Sequence, residues 1–172
     1  MGKRSDFTRR PQDAYMTTDK RAVEALLPHL NGIETFAEPC AGEGHLIEAL
    51  TRHGLYCPLS FDIAWKPSVD ALKVDFISSS VDAIISNPPW TRLILHPMIS
   101  HFCSQKPTWL LFDSDWAYTV QAYPYLTMCT DIVPTPRLKW LAHTRWTAKD
   151  NTSWYRFDAH HSGPTRFHGR MQ

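Results

Sequence analysis

Apolar positions recur along the chain in two alternating rhythms. "TTDKRAVEALLPHL" (17–30) sets Ala22, Val23, Leu26, Leu27 and Leu30 at helical spacing behind Thr and Asp cap candidates, and predicts a helix. "IETFAEP" (33–39) is a short strand ending in an acid and a proline. "GHLIEALTRHG" (44–54) returns to the helical period and stops at Gly54. "YCPLSFD" (56–62) reads as a strand, with Pro58 awkward inside it. "DALKVDF" (70–76) is a weaker strand and "VDAIISN" (81–87) a good one. "LHPMISHFC" (95–103) predicts a helix starting near Pro97, because proline suits a first turn. "TWLLFD" (108–113) is a buried strand, and 114–128 is helix or loop interrupted by Pro124. "DIVPTPRLKWL" and "SWYRFD" read as two final strands, the first broken by prolines.

Strand and helix alternate, which predicts an α/β fold: a Rossmann-like, seven-stranded, mostly parallel sheet flanked by helices. The 172 residues suit a single domain, with a flexible basic segment at 1–16 and basic strands and loops at 131–172. In such a sheet, ligands bind beyond the carboxyl ends of the strands. Four groups fall there: Glu38-Pro39-Cys40-Ala41-Gly42-Glu43-Gly44, Asp62, Asp75, and Asn87-Pro88-Pro89-Trp90. Their convergence on one edge is the main sign of a site.

Composition narrows the classes of function. The net charge is +1, but residues 1–21 carry six Lys/Arg against three Asp/Glu, residues 22–130 five against eleven, and residues 131–172 seven against three. Basic ends that meet in space make a face suited to nucleic acid; solvated termini are the other reading. Cys40, Cys57, Cys103 and Cys129 have neither C-x-x-C spacing nor a histidine pattern, so neither zinc nor a disulfide framework is expected. "MGKRSDFTRR" is not a signal peptide, and no apolar run is long enough to span a membrane; the expectation is a soluble, cytoplasmic protein.

"EPCAGEGHL" joins a strand to a helix through Gly42 and Gly44. Glycines in such a turn let the backbone approach a ligand, although they also serve to pack a helix on a sheet. The dinucleotide fingerprint is absent, since no third glycine falls in register. Asp62, at the end of the next strand, can accept hydrogen bonds from ribose hydroxyls or act as a turn aspartate. Asp75 can meet an adenine amino group with Phe76 beside the ring, or cap a turn.

"EPCAGEGHL", "FD", "VDF" and "SNPPW", in this order, resemble the class I S-adenosylmethionine-dependent methyltransferases. The Asn-Pro-Pro-aromatic tetrapeptide resembles those that methylate adenine N6, cytosine N4 or glutamine amides. The likeness covers roughly 15–113, and "DAYMT" (13–17) is similar to the segment that closes over the cofactor's methionine part, with Tyr15 and Thr17 matching loosely. The resemblance implies S-adenosyl-L-methionine as cofactor. Glu38, with Pro39, Cys40 and Ala41 behind it, would orient the methionine end. Gly42 and Gly44 would allow close approach, Asp62 would hold the ribose, Asp75 and Phe76 would face the adenine, and Asn87 to Trp90 would be catalytic. Glu38 replaces the commoner aspartate. "WYRFDAHHSGPTRFHGR" (154–170) resembles the ends of small phage-encoded adenine methyltransferases, which implies a bacterial or phage-infected host cell.

An exocyclic amine shares its lone pair with its ring and is a poor nucleophile. The Asn87 side-chain oxygen and the Pro88 carbonyl can accept its two N–H bonds, and the prolines keep those acceptors aimed. Trp90 can stack on an extruded base. Arg137, Lys139, Arg145, Lys149, Arg156, Arg166 and Arg170 are candidates for phosphate contacts, with Trp140, Trp146, Trp154 and Tyr155 near them in sequence. His160 and His161 read as surface loop. The expected activity is N6-adenine methylation of DNA with little sequence selectivity. RNA, a protein glutamine amide, or a non-catalytic cofactor- or nucleic-acid-binding module are the alternatives.

Overall fold

A computed structural model describes residues 16–65, 67–140 and 147–170. Tyr15, Arg145, Trp146 and the 1–15 stretch lie outside the described residues. The strands are β1 (Thr35–Glu38), β2 (Tyr56–Ser60), β3 (Ala83–Ser86), β4 (Thr108–Asp113), β5 (Cys129–Pro134), β6 (Thr152–Phe157) and β7 (Arg166–Phe167). They form one seven-stranded sheet in the order β2-β1-β3-β4-β6-β5-β7. β6 runs antiparallel to both neighbours, and every other pairing is parallel. The carboxyl ends of β1, β2, β3 and β4 therefore share one edge. The helices are α1 (Arg21–Leu26), α2 (His45–Thr51), α3 (Arg92–Cys103) and α4 (Tyr123–Leu126).

Side-chain alternation on the strands divides the core. Ala83, Ile85, Trp109, Leu111 and Trp154 face a cluster completed by α1 and α2. Ile84, Leu110, Phe112, Tyr155 and Phe157 face the opposite cluster, completed by α3. Successive strand residues point to opposite faces, so a strand covered on both sides must be apolar throughout, as "AIIS" and "TWLLF" nearly are. On the α3 face, the rings of Phe112 and Tyr155 stack at 4.2 Å, and Trp116 meets Tyr155 edge-on at 5.3 Å. On the other face, the Trp154 indole donates to the Ala22 carbonyl at 2.7 Å and ties α1 to β6.

Four elements differ from the sequence expectation. "DALKVDF" is not a strand. Asp70 accepts the Leu72 N–H at 3.1 Å and caps a 3₁₀ turn at Ala71–Lys73, while the Phe76 N–H donates to the Gln105 side chain at 2.6 Å. Local and side-chain acceptors thus take the place of a ladder. The seventh strand is instead β7, which pairs Arg166 with Asp131 and Phe167 with Ile132. α3 begins at Arg92 rather than near Pro97, which lies inside it. The carbonyl deprived of a donor by Pro97 is that of Leu93, a residue 88% exposed, so water can replace the lost bond. The first helix is shorter than 17–30: α1 ends in a 3₁₀ turn at Leu27–His29 that contains Pro28. Pro58 is accommodated because β2 is an edge strand whose register slips by one residue between Thr35 and Ala37 of β1.

Candidate active site

β1 and β3 are adjacent and parallel, so Glu38 and Ser86 end side by side. The Ser86 hydroxyl donates to Glu38 Oε1 at 2.6 Å, and the Cys40 N–H donates to the same oxygen at 3.0 Å. Glu38 is 1% exposed. Burial pushes its carboxyl up to about 8 against the pull of these two donors. The Cys40 thiol is raised too, first by burial and then by Glu38.

The glycine turn follows. Gly42 and Gly44 have φ of +49° and +81°, values that side chains beyond glycine adopt at a cost. Asp62, just past β2, accepts the Gly42 N–H on Oδ2 at 2.9 Å and the Ala64 N–H on Oδ1 at 2.8 Å. The acid assigned to ribose thus also braces the glycine turn. A Cβ on Gly42 would lie 2.8 Å from the Met16 sulfur, so Met16 covers this turn. His45 Nδ1, directly after Gly44, is buried without a hydrogen bond; the Glu43 carboxylate is 3.9 Å away.

Asn87 lies at the carboxyl end of β3. Its Nδ2 donates to the Thr17 hydroxyl oxygen at 3.0 Å, and its Oδ1 accepts the Trp90 indole N–H at 3.2 Å. The same N–H reaches the Leu111 carbonyl at 3.2 Å, on β4. Both ends of the carboxamide are therefore oriented. Pro88 is buried and Pro89 half-buried. Trp90 is half-buried, held along its N–H edge and packed edge-to-face on Trp140 at 5.4 Å.

Hydrogen bonds link Cys40 to Glu38, Gly42 to Asp62, Gly44 to Ala41 and Asn87 to Thr17, with Pro39 standing between Glu38 and Cys40. Asp75 and Phe76 stand differently. Asp75 is exposed and turns its carboxylate onto its own loop, accepting from the Ile77 N–H at 2.9 Å and the Ser78 hydroxyl at 2.8 Å. Phe76 has no exposed surface; its ring packs against Phe61 and Phe102, because the apolar α3 face draws it in. That ring belongs to the core and offers no face to a ligand.

Part of the basic, aromatic C-terminal stretch is turned inward. Trp154 and Tyr155 are fully buried. Arg156 and Arg166 pair with Asp131 at 3.6 and 3.0 Å, and His168 reaches it at 2.8 Å. Asp131 is 3% exposed, so these arginines serve an internal carboxylate. His160 is exposed and His161 half-buried. Sequence reading overlooked Met16 and Ser86, although both stand inside quoted motifs; only the fold puts them against Gly42 and Glu38. Among the described residues no group of three or more His, Cys, Asp or Glu is placed to hold a metal ion, and no helix is long and apolar enough to cross a membrane.

The whole chain was compared with known proteins. No family model matches it and no curated protein matches it. Among solved structures, it superposes on a Pyrococcus horikoshii protein described as a putative RNA methyltransferase, with a TM-score of 0.58 and 18% identity over 91% of this chain and 93% of that one. The chain has a methyltransferase-like Rossmann fold. In the methyltransferase fold, the shared carboxyl edge of β1 to β4 is where the joined loops lie.

The residues at that edge fit S-adenosyl-L-methionine chemically. Gly42 and Gly44 hold left-handed backbone next to the Glu38 and Asp62 carboxyls, groups suited to an ammonium and a ribose diol, and His45 Nδ1 is buried there without a hydrogen bond.

Proposed function

We propose that the protein transfers a methyl group from S-adenosyl-L-methionine to an exocyclic amine, the N6 of adenine in DNA. The observation that carries this reading is the doubly oriented Asn87 carboxamide, placed by β3 beside the glycine turn of β1. Bound over Gly42 and Gly44, the cofactor supplies an electrophilic methyl on a sulfonium. Glu38 would meet its methionine end, Asp62 its ribose and Asp75 its adenine side; Thr17, next to Met16, would close over it, with Tyr15 before them. The Asn87 carboxamide oxygen would accept one N–H of the target amine. The Pro88 carbonyl takes its other N–H. Both contacts pull the nitrogen toward a tetrahedral shape with its lone pair aimed outward. So held, the amine lone pair would displace the methyl from the sulfonium that the cofactor would supply, and water would take the nitrogen's extra proton. Asn87 is neutral, so its part is orientation rather than proton removal. Pro89 stiffens the tip, and Trp90 walls it.

The Pyrococcus neighbour, described as an RNA methyltransferase, favours RNA as the second reading. One experiment separates the readings. Purified protein with tritiated S-adenosylmethionine is offered DNA, RNA and protein, and labelled nucleic acid is digested to nucleosides for mass spectrometry. N6-methyldeoxyadenosine, lost in Asn87→Ala, is expected. N6-methyladenosine from RNA alone would move the substrate to RNA, and label in protein alone would overturn both.

A further inference from the structure

We propose that a basic trough running from the catalytic tip along α1 holds the phosphodiester backbone of a polynucleotide, an assignment that rests on the methyl-transfer reading and supplies its substrate surface. Two cavities share Arg21. One, of about 360 Å³, is lined by Thr18, Asp19, Arg21 and Lys139. The next, of about 240 Å³, runs from Arg21 past Glu24 and His29 to Arg170.

The trough begins at the tip on both sides. Thr18 follows Thr17, which holds Asn87, and Lys139 precedes Trp140, which packs on Trp90. Its acids are already engaged. Asp19 accepts from Arg21 Nε at 2.9 Å, from Arg21 Nη2 at 2.5 Å and from the Lys139 N–H at 2.9 Å. Glu24 pairs with Lys20 at 3.3 Å. Among the described residues, no carboxylate pairs with the Lys139 ammonium or the Arg170 guanidinium. Two uncompensated cations thus stand at the two ends of the trough, with Arg21, paired with Asp19, between them. Phosphates repeated along a strand match such a row, and contacts to them set position without reading sequence. Arg156 and Arg166, the other basic pair, are held by Asp131 and lie outside this row.

The test is binding, measured apart from turnover. Fluorescence anisotropy with S-adenosylhomocysteine present follows labelled single-stranded DNA, duplex DNA and single-stranded RNA of one length between about 50 and 200 mM salt. Each phosphate contact contributes about 0.7 to 0.9 to the slope of log affinity against log salt. Lys139→Ala with Arg170→Ala is expected to lower that slope by about 1.4 to 1.8 and to weaken all sequences alike. S-adenosylhomocysteine affinity should hold, and Arg52→Ala, just past the end of α2, should leave both unchanged. The oligonucleotide whose slope responds identifies the nucleic acid. An unchanged slope in the double variant, or a wild type that binds none of the three, would overturn the trough. Nucleic acid labelled normally alongside an unchanged slope removes the trough and keeps the methyl-transfer reading; label in protein alone removes that reading.

Discussion

Asn87 Nδ2 and the Thr17 hydroxyl oxygen meet at 3.0 Å across 70 positions of sequence. Thr17 is 7% exposed, so water does not readily replace it. The contact presents Oδ1, rather than Nδ2, toward Trp90 and the proposed amine. Thr17→Val keeps the shape and removes this acceptor from the Asn87 amide, at a cost of about 0.5 to 1.5 kcal/mol. At about 1.4 kcal/mol per tenfold in rate, kcat should fall up to about tenfold, with KM for the cofactor nearly constant. Thr17→Ser should restore it. A valine variant at full kcat would remove Thr17 from the positioning role.

The Glu38 carboxyl, raised to about 8 by burial, gives the unliganded protein a signed pH dependence. The folded chain holds a proton there that the unfolded chain releases near its ordinary value of 4.5. Stability from this group is therefore present below about 4.5 and is lost as pH rises toward about 8. The melting temperature should fall across that window, and Glu38→Gln should flatten the fall. A cationic cofactor favours the ionised acid, so its binding should tighten with pH and release a proton, read by calorimetry in buffers of different ionisation enthalpy. A pH-independent melting curve that Glu38→Gln leaves unaltered would contradict the assignment.

Gly42→Ala and Gly44→Ala separate backbone strain from cover. Both positions have positive φ, so each alanine should cost about 1 kcal/mol in chemical denaturation. Only at Gly42 does the new methyl meet Met16, at 2.8 Å; at Gly44 nothing lies within 4 Å. Met16 is the flexible end of a side chain and will swing away. Gly42→Ala is expected to weaken S-adenosylhomocysteine binding more than Gly44→Ala does. Equal losses would show that Met16 contributes nothing to the cover.

Asp131→Asn should loosen the far edge of the sheet. Burial alone would raise this carboxyl, but hydrogen bonds from His168, Thr130 and Arg166, aided by the Arg166 charge, hold it below its ordinary value. Its contribution is present above the unfolded value and is lost as pH falls through the folded one. Removing the buried charge leaves Arg156 and Arg166, 30% and 69% exposed, to solvent and should cost about 1 to 3 kcal/mol through the lost hydrogen bonds. Hydrogen exchange should quicken first in β5 and β7. Uniform exchange across the sheet would mean that Asp131 does not pin this edge.

Much of the fold was legible because its signals are local. β1, β3 and β4 are short apolar runs bounded by turn residues, and parallel strands necessarily bring their carboxyl ends to one edge. That rule placed "EPCAGEG", Asp62 and "NPPW" together before any contact was known. The failures have a common origin. "DALKVDF" alternates like a strand, but a strand needs a neighbour with open donors and acceptors, and Asp70 and Gln105 supplied those bonds first.

The sequence by itself determined the strand–helix alternation, the stiff Asn-Pro-Pro-Trp tip and the glycine turn, since each follows from the φ preferences and polarity of adjacent residues. Only the tertiary structure decided that Thr17 and Trp90 share the Asn87 amide and that Phe76, Trp154 and Tyr155 are core. It also decided that Arg156 and Arg166 are spent on Asp131 while Lys139 and Arg170 line the trough. A charge or a ring has no role until a partner is named, and apart from Trp90, three positions from Asn87, these partners lie far away in sequence, where periodicity carries no information.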